Sequence, residues 1–104
     1  MPVDELKGHL DLVLLAVLAD GPAHGYALVE ELRLRSDGVF DLAEGTVYPA
    51  LYRLESAGLL ASKWTTASGR RRRTYRLTRR GAAKLAKERG EWQRFADTMK
   101  TVVT

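Results

Sequence analysis

The chain has 104 residues, no cysteine and a formal charge of +4, which bounds it to one small domain without disulfide or thiolate chemistry. The charge is unevenly spread: residues 1–58 hold 4 Lys/Arg against 10 Asp/Glu, and residues 59–104 hold 13 against 3. The longest apolar run, Leu12–Ala19, is far short of the roughly 20 residues that cross a bilayer, and the acidic start does not read as a secretory signal, so a cytoplasmic protein with no membrane partner is expected.

From about Leu6 to Ala19, Leu6, Leu10, Leu12, Val13, Leu14, Leu15, Val17 and Leu18 are too many apolar residues for one stripe. That predicts a first helix buried on two sides, one against its own domain and one against a partner subunit. Asp20-Gly21-Pro22 ends it. A second helix is predicted over His24–Arg35, with Leu28, Val29 and Leu32 inward and Glu30, Glu31, Arg33 and Arg35 outward. His24-Gly25-Tyr26 opens it, where free backbone N–H groups suit a phosphate. His24 is not read as a metal ligand, since the other histidine is His9 and no carboxylate–histidine spacing accompanies it. Ser36-Asp37-Gly38 reads as a turn and Val39–Leu42 as a very short strand.

The stretch Glu44–Leu60 organises the rest. Val47, Leu51 and Leu54 form one apolar stripe at helical spacing. Thr46, Pro49, Ala50 and Arg53 are expected on the opposite side, with Tyr48 and Tyr52 on a flank. Pro49 is tolerated in a first turn, which puts the helix start near Thr46. Gly58 is placed for a left-handed C-terminal cap, with Leu59 and Leu60 re-entering the core. The outward face has few solubilising charges, as a contact surface would. The second and third helices together make a helix-turn-helix unit. Glu44 favours a helix N-terminus through the dipole. It either repels a nearby phosphate or accepts from a cytosine amino group, and the sequence leaves both open.

Leu60–Thr66 and Arg71–Leu77 are predicted strands joined by a turn at residues 67–70. Residues 59–80 carry 8 basic residues, Lys63, Arg70, Arg71 and Arg72 among them, and no acidic one. A polyanionic partner is expected there, and arginine in particular suits phosphate geometry. Trp64 is read as the hairpin's packing anchor rather than a base-stacking residue. An arginine-tipped hairpin after a helix-turn-helix is a wing, able to lay guanidinium groups along phosphates or into a narrow minor groove. Thr78 is a good N-cap for a last helix over about Arg79–Val103. Its Leu85, Trp92, Phe95, Met99 and Val102 fit a heptad repeat interrupted by Glu88. That stripe is too long for a small core to cover. A symmetric dimer is therefore expected, with Leu10, Leu14, Leu85, Trp92, Phe95, Met99 and Val102 at its interface. The predicted fold class is mainly α with a small β-hairpin wing: a winged helix-turn-helix over residues 1–77 plus a long C-terminal dimerisation helix over residues 78–104. Catalysis has little support: there is no Cys nucleophile, no Ser–His–acid arrangement and no phosphate-binding loop. No enzyme, metal or cofactor is expected.

Gly45-Thr46-Val47-Tyr48-Pro49-Ala50-Leu51, then Arg53-Leu54 and Gly58-Leu59, resembles the recognition helix of the PadR family of winged-helix transcriptional regulators. The resemblance extends through Leu10-Asp11-Leu12 and residues 21–26 before this helix, and residues 69–72, 75–78 and Gly81 after it. Each motif alone is weak; together, in the family's order and spacing, they are specific. Ala43-Glu44 departs from the pattern, which commonly opens this helix with a small or polar residue, often serine or proline. The resemblance implies a homodimeric regulator, most simply a repressor, that binds double-stranded DNA sequence-specifically at a pseudo-palindromic operator. Thr46, Tyr48, Pro49, Tyr52 and Arg53 would enter or border the major groove, with Arg53 holding either a guanine or a phosphate. Lys63, Arg70, Arg71 and Arg72 would hold backbone. His24-Gly25-Tyr26 would lie beside the DNA backbone, Tyr26 either donating its hydroxyl there or packing against the third helix. Some short relatives bind planar aromatic or phenolic compounds at the dimer centre through a tryptophan matching Trp92. Trp92 and Phe95 are therefore either the site of a small aromatic ligand or a dry dimer contact. Two readings from other classes stand beside this one: an RNA- or ribosome-associated module using the basic hairpin, and a protein-interaction module using the tyrosine-bearing face.

Overall fold

A computed structural model describes Leu6 and residues 8–104. Helix α1 (Leu10–Leu18) leads through a two-residue strand β1 (Ala23–His24) to helices α2 (Gly25–Arg35) and α3 (Glu44–Ser56). Strands β2 (Leu60–Ala67) and β3 (Arg70–Leu77) follow, and then helix α4 (Arg79–Val103). The expected fold class is the one observed: among the described residues four helices, with α2 and α3 as the helix-turn-helix, a hairpin wing and a long last helix. Of the start of the predicted first helix, Lys7 lies outside the described residues, Leu6 is buried, and Gly8 and His9 form a turn, so that α1 begins only at Leu10.

Local chemistry fixes most of the boundaries. Gly58, at φ +81°, donates its N–H to the Glu55 carbonyl, and Leu59 N–H donates to Leu54 O at 3.0 Å, the paired bonds of a Schellman cap. Thr78 Oγ1 accepts from Gly81 N at 3.0 Å and donates to Gly58 O at 2.7 Å, so one threonine caps α4 and ties its start to the end of α3. Ser68 and Gly69 both have positive φ, the two-residue turn that matches strand twist and sets the register from Ala67↔Arg70 to Leu60↔Leu77. Strand β1 pairs with the other edge of β3 (Ala23↔Tyr75, His24↔Thr74), giving the order β1-β3-β2.

Leu14, Leu15, Leu28, Val47, Leu51 and Leu54 fill the centre, closed by Leu60 and Tyr75 from the sheet and Leu85 from α4. Each such side chain contributes about 1.5–3 kcal/mol by leaving water. Beyond Leu85, no residue of α4 is fully buried. Its 25 residues run about 37 Å at 1.5 Å per residue. The radius of gyration is correspondingly 14.6 Å, against about 13 Å for a compact chain of this length.

Four expectations are corrected. Val39–Leu42 forms no strand: Ser36 Oγ accepts from Phe40 N at 2.8 Å, and the bent segment drops Phe40 and Leu42 against the core. Helix α3 starts at Glu44, two residues before Thr46, so Pro49 sits in the second turn and cannot donate to the Gly45 carbonyl. Ala50, expected outward, is buried beside Leu51. Leu14 and Leu85, expected at a subunit interface, belong to the chain's own core.

Candidate nucleic-acid interface

Helix α3 buries Val47, Ala50, Leu51 and Leu54 and leaves Glu44, Thr46, Tyr48, Pro49, Tyr52 and Arg53 exposed. Tyr52 is 71% exposed, an unusual position for so apolar a ring. Tyr48 leans back across the start of α2. A Cβ built on Gly25 would lie 2.5 Å from its ring, so glycine is what allows the two helices of the unit to approach there.

His24 ends β1 and caps α2, its Nδ1 accepting from Ala27 N at 3.2 Å. Its Nε2 lies 2.7 Å from a guanidinium nitrogen of Arg72. A neutral imidazole has one lone pair, so it cannot accept from both donors. Burial, and then the Arg72 charge, lower its pKa. Arg72 lies at the N-terminal end of α2, beside Tyr26, whose ring stacks on His24 at 6.4 Å and is exposed.

The hairpin is tied to the far end of α3. Arg73 Nε donates to Ser62 Oγ at 2.8 Å, Ser62 Oγ donates to Glu55 Oε2 at 2.6 Å, and Arg73 also reaches Glu55 Oε1 at 3.4 Å. Trp64 is 54% exposed and packs within the hairpin, as expected, without reaching the core. Arg71 and Arg73 instead lie over its ring at 4.8 and 5.7 Å, a geometry in which the ring quadrupole stabilises the cations.

A cleft of about 630 Å³ results between α3 and the wing, lined by His24, Tyr26, Glu44, Tyr48, Trp64, Arg70, Arg71, Arg72, Arg73 and Tyr75. Six residues singled out from the sequence (His24, Tyr26, Tyr48 and Arg70–Arg72) meet in it. Thr46, Pro49 and Tyr52 continue the same exposed helix, and Lys63 is exposed on β2. Among the described residues, Arg33, Arg35 and Arg53 all have carboxylate partners, whereas on the hairpin only Arg73 does. The positive charge of Lys63, Arg70, Arg71, Arg72 and Arg76 is therefore uncompensated by close carboxylates.

Arg53 is placed differently from expectation. It donates two parallel bonds of 2.8 Å to the Asp11 carboxylate of α1, which raises its pKa. It lines a second cleft, of about 570 Å³, with His9, Asp11, Leu12, Glu88, Glu91, Trp92 and Phe95. Trp92 and Phe95 are thus brought together, on a surface rich in carboxylates. Sequence reading missed Asp11, Glu55, Ser62 and Arg73. One signal pointed to Glu55: a carboxylate in the last turn of a helix opposes the dipole and calls for a cationic partner.

The transcriptional regulator PadR-like family matches residues 14–87. A transcriptional regulator of Mycobacterium tuberculosis is 39% identical over 85 residues, covering 82% of this chain and 77% of the relative. The structure of a transcriptional regulator from Clostridium thermocellum superposes with a TM-score of 0.90 at 27% identity, covering 100% of this chain and 99% of the other. Bacillus subtilis PadR, solved in complex with operator DNA, has the same fold over 75% of this chain and 45% of its own, with a TM-score of 0.68 and 22% identity.

Proposed function

The chain belongs to the PadR-like family of transcriptional regulators, and from that premise we propose that it is a repressor that binds a pseudo-palindromic operator as a homodimer. The observation that carries this reading is the cleft between α3 and the wing. There the exposed face of the second helix of a helix-turn-helix meets hairpin arginines that have no carboxylate partner among the described residues. A helix of this kind fits the major groove of B-form DNA. Arginines beside it neutralise phosphates and release counterions, so binding should be steeply salt-dependent.

In this reading Tyr48, Thr46, Pro49 and Tyr52 enter or border the groove, and Lys63, Arg70, Arg71 and Arg72 hold backbone. His24 and Tyr26 stand at the backbone beside the N-terminus of α2. Arg53, engaged by Asp11, docks the recognition helix on α1 rather than reading a base. The Trp92–Phe95 cleft receives a small aromatic effector, and the Asp11–Arg53 pair beside it carries the effect of that ligand to α3, releasing the operator.

Fluorescence anisotropy of the protein on the DNA upstream of its own gene, against a scrambled duplex over a salt series, tests the proposal. A preference of roughly a thousandfold or more with a steep salt slope is expected. Equal binding to both duplexes would leave a basic module without sequence specificity, strong competition by duplex RNA would point to A-form recognition, and no binding would point to a protein partner.

A further inference from the structure

We propose that Glu44 is a specificity determinant of this cleft, its carboxylate accepting a hydrogen bond from the exocyclic amino group of a cytosine in the major groove. The inference rests on the DNA-binding reading and deepens it. A helix-turn-helix presents the N-terminal residues of its second helix to base edges. Glu44 is the first residue of α3, is exposed, and stands one and two turns before Tyr48 and Tyr52 on the same ridge. Arg53, the strongest base-reading side chain by type, lies at the other end of the helix and is held by Asp11.

The Glu44 carboxylate is also unspent. It lines the same cleft as Arg70, Arg71, Arg72 and Arg73. Yet no basic group among the described residues lies within salt-bridge distance of it, the Arg73 charge being taken by Glu55. A free carboxylate in a cleft that attracts a polyanion repels phosphate, and it becomes favourable only where an N–H donor faces it. In the major groove only cytosine N4 and adenine N6 are such donors. Adenine N6 stands beside the N7 acceptor, which repels a carboxylate, so cytosine fits better. The same charge lowers affinity for every site that lacks the donor, which sharpens discrimination from both sides.

Selection from a randomised duplex library with the wild-type protein, Glu44→Ala and Glu44→Gln tests this, followed by anisotropy titration of the selected duplex and its single-base-pair replacements. The side chain is exposed, and circular dichroism of each variant checks that the fold is kept. Wild type should require cytosine at one position of each half-site, by about fivefold to a hundredfold. Glu44→Ala should lose the preference at that position alone while binding random duplex more tightly. Glu44→Gln should move it toward adenine, whose N6 and N7 match an amide. Uniformly tighter binding by Glu44→Ala with an unchanged base profile would overturn the assignment, leaving Glu44 as a phosphate repeller. Uniformly weaker binding would also overturn it, leaving Glu44 to orient a wing arginine. A wild-type protein that selects no sequence at all would overturn the regulator reading and this assignment together, and is told apart by that result.

Discussion

His24 is the residue at which the helix-turn-helix meets the wing: it caps α2, pairs with β3 through β1 and faces Arg72. Its pKa is lowered from 6.5, by burial first and by the Arg72 charge second. The unfolded chain therefore takes up a proton at this site before the folded chain does. The stability contributed by neutral His24 is complete above about pH 6.5 and is lost as pH falls from there through the lowered folded value. Thermal melts between pH 8 and 5 should show wild type losing stability below about pH 6.5 relative to His24→Asn, which keeps a capping side chain and does not titrate. Parallel curves for the two proteins would refute this. Asp37 is a second local case. It occupies φ +56° at the end of α2, with Gly38 N donating to Arg33 O at 2.8 Å in another Schellman pattern. The left-handed region is disfavoured for residues with a Cβ, so Asp37→Gly should stabilise the fold by about 0.5–1 kcal/mol, seen as a melting temperature higher by a few degrees. Capping at Gly58 and Thr78 was legible in the sequence because the capping bonds span only three to five residues. The Arg53–Asp11 pair was not, because its partners are 42 residues apart and meet only once α1 and α3 pack. Reading Arg53 by type alone made it a guanine or a phosphate contact.

The wing acts as a unit because the Glu55–Ser62–Arg73 bonds hold it to α3. This divides the hairpin arginines into two classes. Among the described residues Arg70, Arg71 and Arg72 have no carboxylate partner, so alanine at any one of them should weaken binding to all DNA sequences alike and lower the salt slope by about one. Arg73 is engaged by Glu55 and half exposed, so Arg73→Ala should change the slope less. Its cost to stability should be at most about 1 kcal/mol, as for other pairs near solvent. Anisotropy over a salt series and melting curves for the four variants separate the classes; an equal slope loss for Arg73 would mean that DNA takes it from Glu55. The hairpin itself was legible, since its strands alternate and Gly69 in its turn tolerates positive φ. Strand β1 was not, because two residues carry no periodicity, and its existence depends on the edge that β3 offers. Val39–Leu42 failed for the opposite reason: its alternation is real, but it places Phe40 and Leu42 as plugs in a capped turn with no strand beside them.

At the scale of the whole molecule, the basic cleft and the exposed apolar stripe of α4 are formed by different residues. The basic hairpin and α3 share one cleft, while the far half of α4 carries Trp92, Phe95, Met99 and Val102, all exposed, at spacings of three and four residues. Such a stripe on a helix that projects past its own core is unstable alone, since isolated helical segments of this length are marginal in water. A second copy related by a two-fold axis would cover it with the same stripe and set two recognition helices against two half-sites. Met99→Glu puts a charge into the middle of that seam without touching the core, whose only large α4 side chain is Leu85. Sedimentation should therefore show a wild-type dimer and a Met99→Glu monomer, with circular dichroism reporting lost helix from the α4 end. Operator binding should weaken by a hundredfold or more, because joining two half-site contacts typically multiplies affinity by roughly 10²–10⁴. Affinity for a single half-site should stay unchanged, since the cleft lies on the other part of the chain. A wild-type protein that sediments as a monomer at micromolar concentration and still binds the full operator tightly would refute the dimer, and the exposed α4 stripe would then have to be covered by a different protein.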